Sequence, residues 1–263
     1  DIIRTPGSES NVKEIYDTCN ELEKDPDNVI LNQFSEFGNY IVHRAVTGPA
    51  LETIFSAVNK DGNLTPRCYV AASGSGGTLA AGDYLKQTLG TRTGVVEALE
   101  CPTLLYNGYG EHNIQGIGDK HVPLIHNVFN TDFVIGIPDA ASDGLNLLFN
   151  TTGGQSYLTT EKQFDPTLIN SLRHLGLSAI ANILASIKLA KYLGLGAAHA
   201  VLPVATDGAE LYTTELEKPS TYIQDNRLPV SAAAELFGRY LLGTATDHVL
   251  ELDQRSRERI FNL

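Results

Sequence analysis

Cys68-Tyr69-Val70-Ala71-Ala72-Ser73-Gly74-Ser75-Gly76-Gly77-Thr78-Leu79 is the stretch on which the fold turns. Residues 68–72 are compact and β-prone and predict a strand, and the six small residues that follow predict a loop. Leu79 to Thr88 then has the pattern of a helix, and Gly94 to Leu99 that of a second strand. Together these form a βαβ unit, which builds parallel sheets whose ligands sit at the carboxyl ends of the strands.

Moving outward, the alternation repeats. Phe133-Val134-Ile135-Gly136-Ile137 predicts a strand, followed by a helix from about Asp143 to Phe149. Ile180, Ile183, Leu184 and Ile187 mark a long helix from near Ser178, closed by Gly194, and Ala200-Val201-Leu202-Pro203-Val204 predicts the next strand. Residues 151–173 are polar and predict irregular chain. Toward the start, Val12, Ile15, Tyr16, Cys19 and Leu22 fall on one helical face, while Asp1-Ile2-Ile3 and Val29-Ile30-Leu31 predict short buried strands. Thr47-Gly48-Pro49 opens another helix, with Leu51, Ile54, Phe55 and Val58 facing inward. The class is therefore α/β, a mostly parallel sheet with helices on both faces. Residues 1–34 cannot close a core alone and are expected to belong to a small mobile domain, with 35–263 forming the large domain.

The 263 residues can bury a sizeable core. Acidic residues exceed basic ones, 31 against 19, so the net charge of −12 repels phosphate backbones and anionic lipid, and neither nucleic acid nor a membrane is expected as a partner. No apolar run is long enough for a spanning helix and no signal peptide opens the chain, which makes the cytoplasm the expected location. The chain opens on Asp1 and contains no Met, so a piece of a longer protein is expected.

A glycine loop between strand and helix lets backbone N–H groups converge on phosphate oxygens while the helix contributes its positive end. Ser75 and Thr78 add hydroxyl donors. A dinucleotide fingerprint would need a third glycine where Leu79 stands, although Glu97 and Glu100 lie where a ribose-binding acid belongs. A Walker A loop would need lysine where Gly77 stands. Asp119, His121 and His126 have no recognised ligand spacing, Cys101 has no neighbour that would activate it, and no Gly-x-Ser-x-Gly elbow is present. From the residues alone the chain is a phosphate-binding α/β domain. A non-catalytic homologue or subunit holding a phosphorylated ligand and a dinucleotide-dependent oxidoreductase both stay open.

Five motifs in order give a more specific resemblance. Asn32-Gln33-Phe34 with His43 and Thr47-Gly48-Pro49, the Ser73–Thr78 loop, Glu100-Cys101-Pro102 with His112-Asn113-Ile114-Gln115-Gly116-Ile117-Gly118, Gly176-Leu177-Ser178, and Leu202-Pro203-Val204-Ala205-Thr206-Asp207-Gly208 follow one another. The set resembles the cysteine synthase and cystathionine β-synthase branch of the fold type II (tryptophan synthase β-like) pyridoxal-phosphate enzymes. The resemblance covers roughly residues 1–212 and implies an incomplete copy of that fold. It implies pyridoxal 5′-phosphate as cofactor, held by Gly74, Ser75, Gly76, Gly77 and Thr78, with Thr206, or Asp207 after a short slip, meeting the ring nitrogen. It implies a small amino acid as substrate, with Gln33 at its carboxylate and Gln115 and Gly116 bordering the site, and a homodimer. The implied reaction is β-elimination or β-replacement by a lyase or transferase. The family's cofactor-bearing lysine sits in a Ser-x-Lys motif ahead of the segment matched by Asp1, so this chain by itself is expected to be inactive.

Overall fold

The computed structural model describes residues 2–8 and 11–263. Its centre is a five-stranded sheet: β1 (Thr65–Ala72), β2 (Arg92–Ala98), β3 (Phe133–Ile137), β4 (His199–Pro203) and β5 (Val249–Glu251), in the order β4-β1-β2-β3-β5. The first four strands are parallel, and β5 closes the far edge antiparallel to β3.

Alternation along the strands divides the core in two. Val70, Val96, Ile135 and Ile137 pack against the helices Asp139–Asn150 and Leu177–Tyr192 on one face. On the other, Tyr69, Ala71, Val95 and Val134 pack against Leu79 and Leu85 of the helix Leu79–Leu89 and Ile260 of the helix Gln254–Phe261. Burying each of these branched side chains contributes roughly 1.5–3 kcal/mol, which is why β1 to β3 read as nearly continuous apolar runs. Chain order reverses about β1, whose neighbours are β2 and β4, so the crevice between the ends of β1 and β4 is the switch point at which open α/β sheets place ligands.

Three expectations fail. Ile2 and Ile3, and Val29 and Leu31, are in no strand and are 62–87% exposed: none of them pairs with the sheet, whose β4 edge carries no further strand among the described residues; Asp1 lies outside the described residues. Residues 151–173 are mostly helical rather than irregular, as Thr152–Ser156, a π turn Tyr157–Glu161, Pro166–Ser171 and a 3₁₀ turn Leu172–His174. Side-chain caps start two of these pieces: Thr151 Oγ1 accepts from Gly154 N, and Asp165 Oδ1 accepts from Thr167 N. The helix Gly48–Val58 buries Phe55, whereas Ile54 and Val58 face outward.

Candidate functional site

The loop leaving β1 is shaped by its glycines. Gly76 adopts φ +81°, a left-handed conformation that glycine tolerates and β-branched residues do not. A Cβ on Gly74 would stand 3.1 Å from the carbonyl oxygen of Gly116, so the close approach of the 112–118 segment favours its absence. Asn39 braces the loop from outside, donating from Nδ2 to Ser75 Oγ at 3.0 Å and to the Gln33 carbonyl at 2.8 Å. The Tyr69 hydroxyl donates to the Thr78 carbonyl at 2.6 Å. Among the described residues, the backbone N–H groups of Gly74, Ser75, Gly76 and Thr78 have no protein acceptor, and the helix Leu79–Leu89 starts directly behind them. That is the donor set of an anion cradle.

The opposite wall comes from β4 and the helix Leu177–Tyr192. Ser178 Oγ and Thr206 Oγ1 lie 3.2 Å apart, and Asn182 Nδ2 donates to the Val204 carbonyl at 2.9 Å. Gly74, Ser75, Gly76, Thr78, Gly116 and Thr206 all line one cleft of about 100 Å³. His43 joins them; its Nδ1 is 2.9 Å from Thr47 Oγ1, and burial lowers its pKa. None of the nine lysines lines this cleft. A larger cleft, about 940 Å³, lies between residues 151–156 and 216–228; its Lys218 is already paired with Glu215.

The 112–118 segment is held by carboxylates. Asp139 accepts from the N–H groups of Asn113 and Ile114, and Glu215 accepts from Asn113 Nδ2 at 2.9 Å and Gln115 Nε2 at 2.6 Å. Burial, reinforced by Glu100, raises the Asp139 carboxyl to about 6. Gln115 is therefore turned toward Glu215 and away from the cleft, while Gly116 lines it. Gln33 is exposed, outside the cleft lining, with no side-chain partner among the described residues. Asp207 is withdrawn: its carboxylate accepts from the Tyr212 hydroxyl at 2.8 Å and its carbonyl from Gly176 N at 2.7 Å. Gly77 lies against Asn39, whose Oδ1 would be 2.3 Å from an added Cβ.

The dinucleotide alternative loses its ribose acid. Glu97 is 4% exposed and accepts from the N–H groups of Leu104 and Leu105 at 2.9 and 2.8 Å, and burial raises its carboxyl to about 7. Glu100 accepts from Asp139 N at 3.0 Å. Both are spent on the protein's own backbone. His121 Nδ1 is 3.1 Å from Asp119, His126 Nε2 is 2.9 Å from Thr131 Oγ1, and Cys101 is buried with its Sγ 3.9 Å from the Asp119 carbonyl. Sequence reasoning missed Asn39 and Asn182. Neither belongs to a local pattern, and each meets its partner only through the fold.

No protein-family model matches the chain. Cysteine synthase B of Campylobacter jejuni is 31% identical over 204 residues, covering 76% of this chain and 58% of that protein. Among solved structures, an O-acetylserine-dependent cystathionine β-synthase from Helicobacter pylori superposes with a TM-score of 0.59 at 25% identity, covering 84% of this chain and 62% of its own. A hydrogen sulfide-producing enzyme from Fusobacterium nucleatum superposes with a TM-score of 0.61 at 22% identity, covering 83% and 59%. The chain thus spans about three fifths of the length of these proteins.

Proposed function

We propose, from the premise that the chain is a relative of the cysteine synthases with the fold type II architecture of pyridoxal-phosphate enzymes, that its cleft is the phosphate and ring site for pyridoxal 5′-phosphate in a protein that carries out β-elimination or β-replacement on a small amino acid. The observation that carries the reading is the convergence of unpaired N–H groups from Gly74, Ser75, Gly76 and Thr78 on one side of a cleft whose other side offers the Ser178–Thr206 hydroxyl pair. A phosphomonoester fits this cradle, where a Cβ at Gly74 would stand 3.1 Å from the Gly116 carbonyl oxygen. When bound, the cofactor supplies an electron sink for charge developing at the α-carbon of an amino acid.

The chain's own residues then hold and orient. The loop N–H groups and the end of the helix Leu79–Leu89 neutralise the phosphate without a cation. Thr206 presents a neutral hydroxyl at the ring end, set by Ser178. Gln33, its side-chain amide without a partner among the described residues, is available to a substrate carboxylate, and Gly116, held through its neighbour Gln115 by Glu215, borders the bound substrate. No lysine at the cleft is in place to move the α proton, so the chain's part is binding and orientation. Residues 2–34 are read as a portion of a mobile small domain, supported by the absence of a buried residue from the helix Lys13–Leu22. A homodimer is part of the reading, supported by the exposed Phe37, Ile41, Val46 and Ile54 along one helical run, and so is a cytosolic location, supported by three unpaired cysteines.

The test is retention of pyridoxal phosphate by gel filtration and absorbance, with Gly76→Val as the comparison. Stoichiometric cofactor on the parent and none on the folded variant supports the reading. Equal cofactor on both, or none on the parent, rejects it.

A further inference from the structure

The larger cleft, about 940 Å³, is of a size that takes a whole small molecule, and its lining is chemically uneven. Residues 151–156 form one wall and residues 216–228 the other; the two meet where the Leu228 carbonyl leaves no room for a Cβ on Gly153. Leu216, Ile223 and Leu228 make one side apolar, and the hydroxyls of Thr152 and Ser156 line the cleft with no partner among the described residues. The charged residues of the lining are Glu217, Lys218 and Arg227. Arg227 is exposed, and its guanidinium makes no ion pair or hydrogen bond among the described residues, although the chain carries 31 acids to 19 bases. Its fork of N–H donors matches a carboxylate. Lys218 faces two ways. Its Nζ is 2.7 Å from Asn113 Oδ1 and 2.5 Å from Glu215 Oε2, and Glu215 accepts from Gln115, the neighbour of Gly116 in the smaller cleft. The Glu215 side chain is only 4% exposed, so its charge depends on that ammonium. An ammonium has three N–H donors, and these two contacts leave one for a ligand.

We propose that the larger cleft is a second binding site, for a small monocarboxylate with an apolar body, and that its occupation is transmitted through Lys218 to Gly116. The regulatory meaning of that coupling rests on the reading of the smaller cleft as the pyridoxal-phosphate site; the binding itself does not. The Arg227 fork takes the carboxylate, and Leu216, Ile223 and Leu228 take the apolar body. The charge of the lining selects a single negative charge. Two cations stand against Glu217, and Glu215 is buried behind Lys218, so a dianion would meet two carboxylates. A carboxylate that engages the remaining N–H of Lys218 shifts the ammonium relative to Asn113 and Glu215, and with them the 112–118 segment. By linkage, a filled smaller cleft then changes the affinity of the larger one by the same factor.

The experiment titrates hexanoate into the ¹⁵N-labelled full chain at about pH 8, with hexanol and hexyl phosphate, a dianion at that pH, as comparisons. The expected result is a saturable shift of the Ser220, Arg227 and Leu228 amides, with Asn113, Gln115 and Gly116 following the same isotherm. Arg227→Gln should weaken binding about tenfold or more, and hexyl phosphate should bind more weakly than hexanoate. In Lys218→Met the shift at Ser220 should remain and the shift at Gly116 disappear. No saturation by about 50 mM hexanoate, shifts centred on residues 74–78, or equal binding by Arg227→Gln or of hexanol overturns the site. Tighter binding of hexyl phosphate overturns the choice of a monoanion. Saturation that leaves residues 113–116 unmoved in the parent, or that moves Gly116 equally in Lys218→Met, overturns the coupling. Should Lys218→Met fail to fold because Glu215 is left unpaired, the parent's isotherms decide. None of these readouts uses pyridoxine phosphate, so a chain that fails to bind that compound rejects the cofactor reading and leaves the hexanoate result standing.

Discussion

Gly76 carries the sharpest consequence of a single residue. Its φ of +81° costs a β-branched side chain about 1–3 kcal/mol, and the loop can escape that cost only by turning its N–H groups out of the cradle. Gly76→Val should therefore lower stability by that order and weaken binding of pyridoxine phosphate at least tenfold, measured by denaturant unfolding and titration. Glu97 makes a second prediction. Its folded carboxyl titrates near 7 and its unfolded one near 4.5, so the folded state binds the extra proton between those values. Stability should be fullest below about pH 4.5 and fall as the pH rises toward 7, by a few kcal/mol at most. Glu97→Gln should be less stable at low pH, having one of its two backbone partners unmatched, and should lose the part of this pH dependence that lies above about pH 6, the raised carboxyl of Asp139 accounting for a share below it. A parent whose stability stays flat from pH 4.5 to 7 would contradict the buried-acid account. The glycines of the loop were readable because a backbone requirement is written directly in residue type. Asn39 and Asn182 were not, because an isolated asparagine within a helix, Phe37–Val42 for one and Leu177–Tyr192 for the other, carries no local signal of the carbonyl it will meet.

Elements with strong periodicity were legible for the same physical reason that they are stable. β1 to β4 and the helices Leu79–Leu89 and Leu177–Tyr192 fall where apolar residues repeat with the strand or helix period. Short apolar runs misled at Ile2-Ile3 and Val29–Leu31, since three residues say that burial is favourable but not which surface will supply it. Between 151 and 173 the polar composition predicts irregular chain, yet Asp165 followed by Pro166 is an N-cap and first-turn signal, and a helix starts there. β5, three residues long, gave no pattern at all. The absence of any buried residue from the helix Lys13–Leu22 yields a measurement. Amides of the helix Lys13–Leu22 should exchange at least a hundredfold faster than those of Val70 and Val201 in the sheet, and equal protection would contradict their assignment to a mobile small domain.

At the scale of the whole molecule, a chain of net charge −12 is read as binding a phosphate in a cleft lined by no lysine or arginine. Backbone dipoles must then do the holding while the surface repels. Raising sodium chloride from about 0.05 to 0.5 M should leave the affinity for pyridoxine phosphate unchanged or raise it a few-fold, since screening removes the repulsion; a tenfold loss would mean that a cation holds the phosphate instead. The most direct measurement is a ¹H–¹⁵N amide map of the uniformly labelled chain titrated with pyridoxine 5′-phosphate. The account predicts that the first and largest shifts are those of Gly74, Ser75, Gly76, Gly77 and Thr78, with Ser178 and Thr206 following at the same ligand concentration. No shifts in this set at millimolar ligand, or shifts centred on Lys218 and Arg227 in the larger cleft, would contradict it.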